Sequence, residues 1–223
     1  MILSEGADLM LSDEIKEQIR KNPAFLKELE DPSEELMLYA VSSAWNNLKY
    51  FKEPTGNVRM TALKSKGWAI QFIDDPTKEE KLMAVSKDAD ALQYFSEADC
   101  EVQLTAVKNS WRAIRYMEDP CYDARILAIE KNEQAINYIS GYSAEELKEY
   151  LKLNLNIVKY IYDSIELEEL TGVLAGVFAG DPDEKYIRDF MELEIIDMDK
   201  IPFIDETGSK AARKRLADYV LGR

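Results

Sequence analysis

The feature that most limits what this chain can fold into is a 22-residue spacing. Pro32, Pro54, Pro76, Ala98, Pro120 and Tyr142 follow one another at that interval. With each of them taken as position 1 of a unit, position 7 reads Leu38, Met60, Leu82, Leu104 and Ile126, and position 9 reads Ala40, Ala62, Ala84, Ala106 and Ala128. Position 10 holds Val41, Leu63, Val85, Val107, Ile129 and Leu151, and position 17 holds Leu48, Ile70, Leu92, Ile114, Ile136 and Val158. Position 20 reads Phe51, Ile73, Phe95, Met117, Ile139 and Ile161. Position 19 is aromatic throughout: Tyr50, Phe72, Tyr94, Tyr116, Tyr138 and Tyr160. Columns that stay in register without an insertion are the signature of a tandem repeat, in which each unit is one supersecondary element that cannot bury its apolar face alone.

Apolar positions 7 and 10, then 16, 17 and 20, follow helical i, i+3, i+4 spacing. Each unit therefore reads as two short helices joined by a tight turn, over roughly positions 2–11 and 14–21. The small residue at position 9 suits a close approach of two helices. Asp31-Pro32, Asp75-Pro76 and Asp119-Pro120 suggest an acid as N-cap and proline at the first helical position. Counting back from Pro32 places an upstream unit at Met10, with Ile15, Ile19, Phe25, Leu26 and Leu29 near the apolar columns. The unit from Tyr142 drifts, with Lys148 and Tyr150 replacing the aliphatic and the alanine.

The expected fold is an all-α solenoid of about seven helix-pair repeats with a small helical C-terminal module. Its expected divisions are an N-terminal segment and degenerate capping repeat over 1–31, the solenoid over 32–163, and a helical cap or module over 164–223. The best unit runs Glu101-Val102-Gln103-Leu104-Thr105-Ala106-Val107 and then Ala113-Ile114-Arg115-Tyr116. It resembles the tandem 22-residue helical repeats of an uncharacterised bacterial and viral domain family, whose pattern is E-V-x-L-x-A-V followed by A-L-x-Y. The resemblance covers residues 32–141. It implies the fold and no activity.

Charge and composition limit the chemistry. With 28 basic and 43 acidic residues the net charge is −15, which repels nucleic acid and anionic membrane and favours a partner with a basic surface. The chain has no histidine, so Ser-His and Cys-His nucleophile pairs and histidine metal ligands are absent. Cys100 and Cys121, one short of a repeat apart, are expected to be independent thiols in a reducing cytoplasm. Residues 1–5 lack the basic flank and apolar run of a signal peptide, and no stretch reaches the roughly 20 apolar residues of a membrane span.

Three features are candidate binding groups. The position-19 column would form an aromatic ladder with a step of about 10 Å; packing between repeats is the role its spacing favours, and display of hydroxyls into a groove is the other. Trp45, Trp68 and Trp111 lie at the turn within their units, either as exposed anchors or as wedges between helices. Acids crowd the junctions between units, among them Asp74, Asp75, Glu79, Glu80, Glu97, Asp99, Glu118 and Asp119, while Lys64, Lys66, Lys87, Lys108, Arg112 and Lys131 favour the inner turns. Helix capping and the macrodipole account for much of that pattern; docking on a basic partner is the further reading.

Beyond Ser164 the register is lost. Helices are expected over 165–178, again from the break at Gly180-Asp181-Pro182-Asp183, and over 210–221, with an acidic turn over 192–199 and an irregular segment at Ile201-Pro202-Phe203-Ile204. Asp197 and Asp199 suggest a weak cation site, and Lys210, Arg213, Lys214 and Arg215 form a basic cluster.

The function these features suggest is non-enzymatic protein binding, with no cofactor, no metal and no direct contact to nucleic acid or membrane. The acidic balance points further to an inhibitor of a nucleic-acid-binding machine, such as a mobile-element protein acting on a host defence complex. The alternatives are a scaffold or oligomerising element, and an enzyme using Asp197, Asp199 and Lys210.

Overall fold

The 22-residue units fold as helix pairs. The computed structural model describes residues 11–222, and no strand occurs among them. The start of the upstream repeat at Met10 and the reading of residues 1–5 lie outside the described residues. The first helices are α1 (Asp13–Lys21), α2 (Glu34–Ser43), α3 (Gly56–Ser65), α4 (Lys78–Lys87), α5 (Cys100–Asn109), α6 (Tyr122–Lys131) and α7 (Ala144–Leu153). From α2 onward each covers positions 3–12 with no slip of register.

The N-cap is position 2, one residue after the proline, and the acid before the proline does not cap. Ser33, Thr55, Thr77, Asp99 and Ser143 accept the backbone N–H three residues on, at 3.0–3.4 Å. Proline pushes its predecessor away from helical backbone angles. The extended residue that follows it, such as Ser33 with ψ 151°, aims its own oxygen at the free N–H groups. Asp31, Asp75 and Asp119 are left outside the helices.

The second element of each unit is a 3₁₀ helix and not an α-helix. These run Pro23–Glu28, Trp45–Tyr50, Gly67–Phe72, Ala89–Tyr94, Trp111–Tyr116 and Glu133–Tyr138, at positions 14–19. Position 13 is extended; its N–H donates back to position 9, as Lys66 does to Ala62 at 2.9 Å. Its carbonyl then accepts from position 16, as Lys66 does from Ala69 at 3.0 Å. With three residues per turn, positions 14, 17 and 20 share one side and 16 and 19 the adjacent one. Six residues is long for this helix type. In the first unit described below, the elements at Trp45–Tyr50, Gly67–Phe72 and Ala89–Tyr94 are each held against the first helix of their own repeat and that of the next.

The chain divides into two compact units, one ending at Glu118 and one beginning at Asp119. In the first, α2 packs on α3, α3 on α4 and α4 on α5, with the 3₁₀ helices stacked as a second layer. Positions 9, 10 and 17 are its core: Ala62, Leu63, Ala84, Val85, Ala106 and Val107 are fully buried. Position 5 is as deeply buried, through Leu36, Val58 and Val102, whereas Leu38, Met60, Leu82 and Leu104 at position 7 are only half-buried.

In the second unit α6 packs on α7. The last repeat closes with a short 3₁₀ turn, Leu155–Ile157, running into α8 (Val158–Ile161), with a further turn at Tyr162–Ser164. There follow α9 (Leu167–Ala179), α10 (Glu184–Glu192), α11 (Lys200–Thr207) and α12 (Lys210–Leu221). Thus Ile201–Ile204, expected to be irregular, is helical; Pro202 lies in the first turn, where a missing N–H costs nothing. The module packs on the last repeat: α9 packs on α7, and the buried Tyr186 hydroxyl donates to the Leu151 carbonyl at 3.0 Å. Phe178 lies 4.9 Å from Phe190 between ring centroids, and Phe203 packs on both. No helix among the described residues is long and apolar enough to cross a membrane. Neither cysteine is a free thiol: Cys100 and Cys121 are both disulfide-bonded. That corrects the expectation of independent thiols and removes the support it lent to a reducing compartment.

Candidate functional site

The 3₁₀ layer presents the aromatic residues. In the first unit Tyr50, Phe72, Tyr94 and Tyr116 are half-buried at position 19, and Trp45, Trp68 and Trp111 are half-buried beside them. The two sets meet across repeats. Trp45 stacks on Phe72 of the next repeat with centroids 6.1 Å apart and planes at 25°. Trp68 meets Tyr94 of the next repeat edge-on at 6.3 Å. The tryptophans are thus neither free anchors nor buried wedges. Trp45 and Trp68 each pack against a ring of the neighbouring repeat and are left half-buried, and Trp111 is half-buried with Arg112 over its ring. In the second unit Tyr138 and Tyr160 are 47% and 40% exposed, more than a purely packing role requires.

The row is held from beneath by residues that repeat columns did not reveal. Gly67 stands at position 14, where Trp45 and Trp111 stand in other repeats. Its backbone is pressed on α4, so that a Cβ there would lie 2.2 Å from the Ala84 carbonyl oxygen. Asp88 locks this approach: its carboxylate accepts the Gly67 N–H at 2.7 Å and the Lys66 ammonium at 2.5 Å. Asp90 accepts the Trp68 indole N–H at 2.8 Å, which fixes the orientation of that ring.

Cations lie over the row. Lys27 and Lys49 sit 5.6 and 5.0 Å from the Tyr50 ring centroid, Lys66 4.9 Å from Trp68, Arg112 4.8 Å from Trp111 and Arg115 4.7 Å from Tyr116. Their stems cover ring faces while their charges stay at the surface. Part of the basic bias of the inner turns is therefore spent on the aromatic layer itself.

The junction acids separate into two groups. Asp74, Asp75, Glu79, Glu97 and Glu118 are exposed, and they directly follow the 3₁₀ helices or open the next α-helix. Asp75 has φ 50°, a left-handed conformation that aspartate tolerates better than most residues; Gly141 adopts it at the same repeat position, with φ 67°. The others make contacts within the fold, although Asp99 and Asp119 are themselves exposed. Glu80 is 3% exposed at core position 5; its carboxylate accepts the Thr77 N–H at 2.9 Å and the Thr77 hydroxyl at 3.1 Å, and lies 2.8 Å from Arg59 Nε. That last contact lies off the N–H axis, so it is an attraction of charges rather than an aligned hydrogen bond. Asp99 caps α5 and pairs with Lys78 at 2.8 Å. The ammonium and the Val102 N–H hold its carboxyl below the usual range. Asp119 pairs with Arg125 at 2.8 Å.

Arg125 repeats the role of Arg59 three units later. It reaches Glu146 of the next repeat at 3.3 Å, and Glu146 forms a capping box with Ser143. The Ser143 N–H, chiefly, holds the Glu146 carboxyl below the usual glutamate range. The signal was present in the sequence as Thr77-x-x-Glu80 and Ser143-x-x-Glu146, each preceded by an arginine 21 residues before the glutamate.

In the C-terminal module Asp197 and Asp199 line one open cleft, and the lysine beside them is Lys200 rather than Lys210. No group of three His, Cys, Asp or Glu among the described residues is arranged to hold a metal ion. Of the basic cluster, Arg215 pairs with Asp181, while Lys210, Arg213 and Lys214 are exposed. No family model, curated protein or solved structure matches the chain.

Proposed function

We propose that this chain is a non-enzymatic protein-binding repeat protein whose partner carries a basic surface. One observation carries the reading: aromatic residues of successive repeats run as contacting, half-exposed pairs, Trp45 on Phe72 and Trp68 on Tyr94. Rings held by the fold lose little entropy on binding, and such anchors supply most of the energy at protein interfaces. The exposed acids Asp74, Asp75, Glu79, Glu97 and Glu118 follow the row in sequence. They supply the charge that steers a basic partner and fixes its register. The narrower form of the proposal makes the chain an inhibitor, its acids occupying the surface with which a partner such as a host defence complex holds nucleic acid.

The test is affinity capture from the source cells, read by mass spectrometry, with two variants beside the parent chain. Trp68→Ala with Tyr94→Ala is expected to weaken capture of the same partner by about tenfold or more. Asp74→Lys with Asp75→Lys and Glu79→Lys is expected to weaken capture and reduce its dependence on salt. Capture unchanged by both variants would sink the proposal. Duplex DNA that fails to compete for the captured partner would sink the inhibitor form alone.

A further inference from the structure

The loop between α10 and α11 encloses one side of an open cleft of about 420 Å³. Its walls combine two chemistries. Met191, Ile196, Met198 and Pro202 give it an apolar floor, and Glu194, Asp197 and Asp199 stand around it. The three carboxylate residues are exposed, and none is ion-paired within the described residues. Ile201, at 45% exposure, also lines the cleft, and Ile195, at 38%, extends the apolar surface beyond it.

The one cation of the lining, Lys200, is held chiefly by backbone carbonyls, with a Coulombic attraction to Glu194 beside them. Lys200 Nζ donates to the Leu193 carbonyl at 2.7 Å and the Met191 carbonyl at 3.3 Å, at the C-terminal end of α10, and lies 5.7 Å from the Phe190 ring centroid. Its charge is engaged by the end of a helix, where a cation is favoured. The loop is thereby tied to α10, so the cleft is shaped by the fold and does not depend on what enters it.

The cleft is too open to enclose a small molecule in the way cofactor sites do, and its carboxylates are not grouped for a metal ion. We propose that it seats a short basic segment of a partner protein, with one large apolar side chain on the floor and lysine or arginine side chains on Glu194, Asp197 and Asp199. Charge complementarity selects this occupant: three unpaired carboxylates around an apolar floor, on a chain of net charge −15, attract a cationic segment and repel an acidic one. Methionine walls adapt to side chains of different shape. This seat rests on the protein-binding reading above and lies apart in sequence from the aromatic row.

The experiment uses the full chain and a short fluorescein-labelled peptide with a central phenylalanine flanked by lysines and arginines. Fluorescence anisotropy measures binding at physiological salt, and the ¹³C-methyl NMR signals of the methionines report its place. The expected result is saturable binding that shifts Met191 and Met198 but not Met37 or Met83. Asp197→Lys with Asp199→Lys should weaken it by about tenfold or more, and the Asn pair by an intermediate factor. Replacing the peptide's phenylalanine with serine should weaken it by about fivefold or more. Binding unchanged by the lysine variant, indifference to the phenylalanine, unmoved Met191 and Met198 signals, or no binding each overturns the proposal. Trp68→Ala with Tyr94→Ala is expected to leave peptide binding intact. Partner capture left unchanged in that variant, with peptide binding retained, therefore refutes the aromatic row alone, and capture lost in that variant while the parent chain fails to bind the peptide refutes the cleft alone.

Discussion

Removing Arg59 while leaving Glu80 in place isolates the cost of a charge set into a core column. The Glu80 side chain is 4% exposed and that of Arg59 28% exposed, at 2.8 Å. Breaking a fully buried pair costs about 3–5 kcal/mol, because one charge is stranded. Here the figure is reduced on two counts. Thr77 continues to donate two hydrogen bonds to the carboxylate, and the arginine is partly solvated. Arg59→Leu is therefore expected to destabilise the chain by about 2 kcal/mol. The paired change, Arg59→Leu with Glu80→Leu, removes both charges and fills position 5 as Leu36 and Val102 fill it in other repeats. It should recover at least half of the loss, since apolar replacement of a buried pair is often neutral or better. Urea denaturation followed by circular dichroism measures both, with coincident fluorescence transitions as the check on cooperativity that a repeat array demands. Arg59→Leu within about 0.5 kcal/mol of the parent, or a double variant no better than the single, would refute the claim that the pair is held by mutual charge compensation.

Two further perturbations test the rest of the framework. Gly67→Ala places a methyl 2.2 Å from the Ala84 carbonyl oxygen; overpacking of about 1–3 kcal/mol outweighs the gain from a less flexible unfolded chain, about 0.4–1 kcal/mol, so Tm should fall by a few degrees in a thermal melt. An unchanged or raised Tm would show that α4 and the 3₁₀ helix can separate freely. The Glu146 carboxyl is held below its ordinary range by the Ser143 N–H first and by Arg125 among the lesser causes. Its contribution to stability is thus present above the ordinary glutamate pKa and lost as pH falls through the lowered folded value. Glu146→Gln should flatten the acid limb of stability below about pH 5, and an acid limb identical to that of the parent would count against this cap.

The register of the repeats was legible because it rests on large, redundant signals: small residues at position 9, aliphatics at 10 and 17, aromatics at 19. The type of the second helix was not. Over six residues, apolar positions three apart satisfy an α-helix and a 3₁₀ helix equally, and what decides between them is the extended residue at position 13, which has no side-chain signature across Ala44, Lys66, Asp88, Ser110, Asn132 and Asn154. The Asp-Pro dipeptides suggest an N-cap two residues too early, although the hydroxyls of Ser33 and Thr77 are the better acceptors. The core column at position 5 was hidden by Glu80 and Glu146, whose charges are tolerable there only because an arginine from the preceding repeat and the hydroxyl of their own cap converge on them.

The same reasoning sorts the junction acids, and it changes what their abundance means. A count of acids treats Asp74 and Glu80 alike. Geometry buries Glu80, engages the exposed Asp99 and Asp119 in a cap and ion pairs, and leaves Asp74, Asp75, Glu79, Glu97 and Glu118 exposed. The charge available to a partner is therefore smaller than composition suggests, and it lies just past the aromatic row in each unit. Cations lie over the rings of that row and acids follow it, so a docked surface would meet both signs within a single repeat. An arrangement with both signs beside fixed aromatic anchors specifies the orientation of a partner more strongly than a uniform field does, because reversal of the partner would bring like charges together.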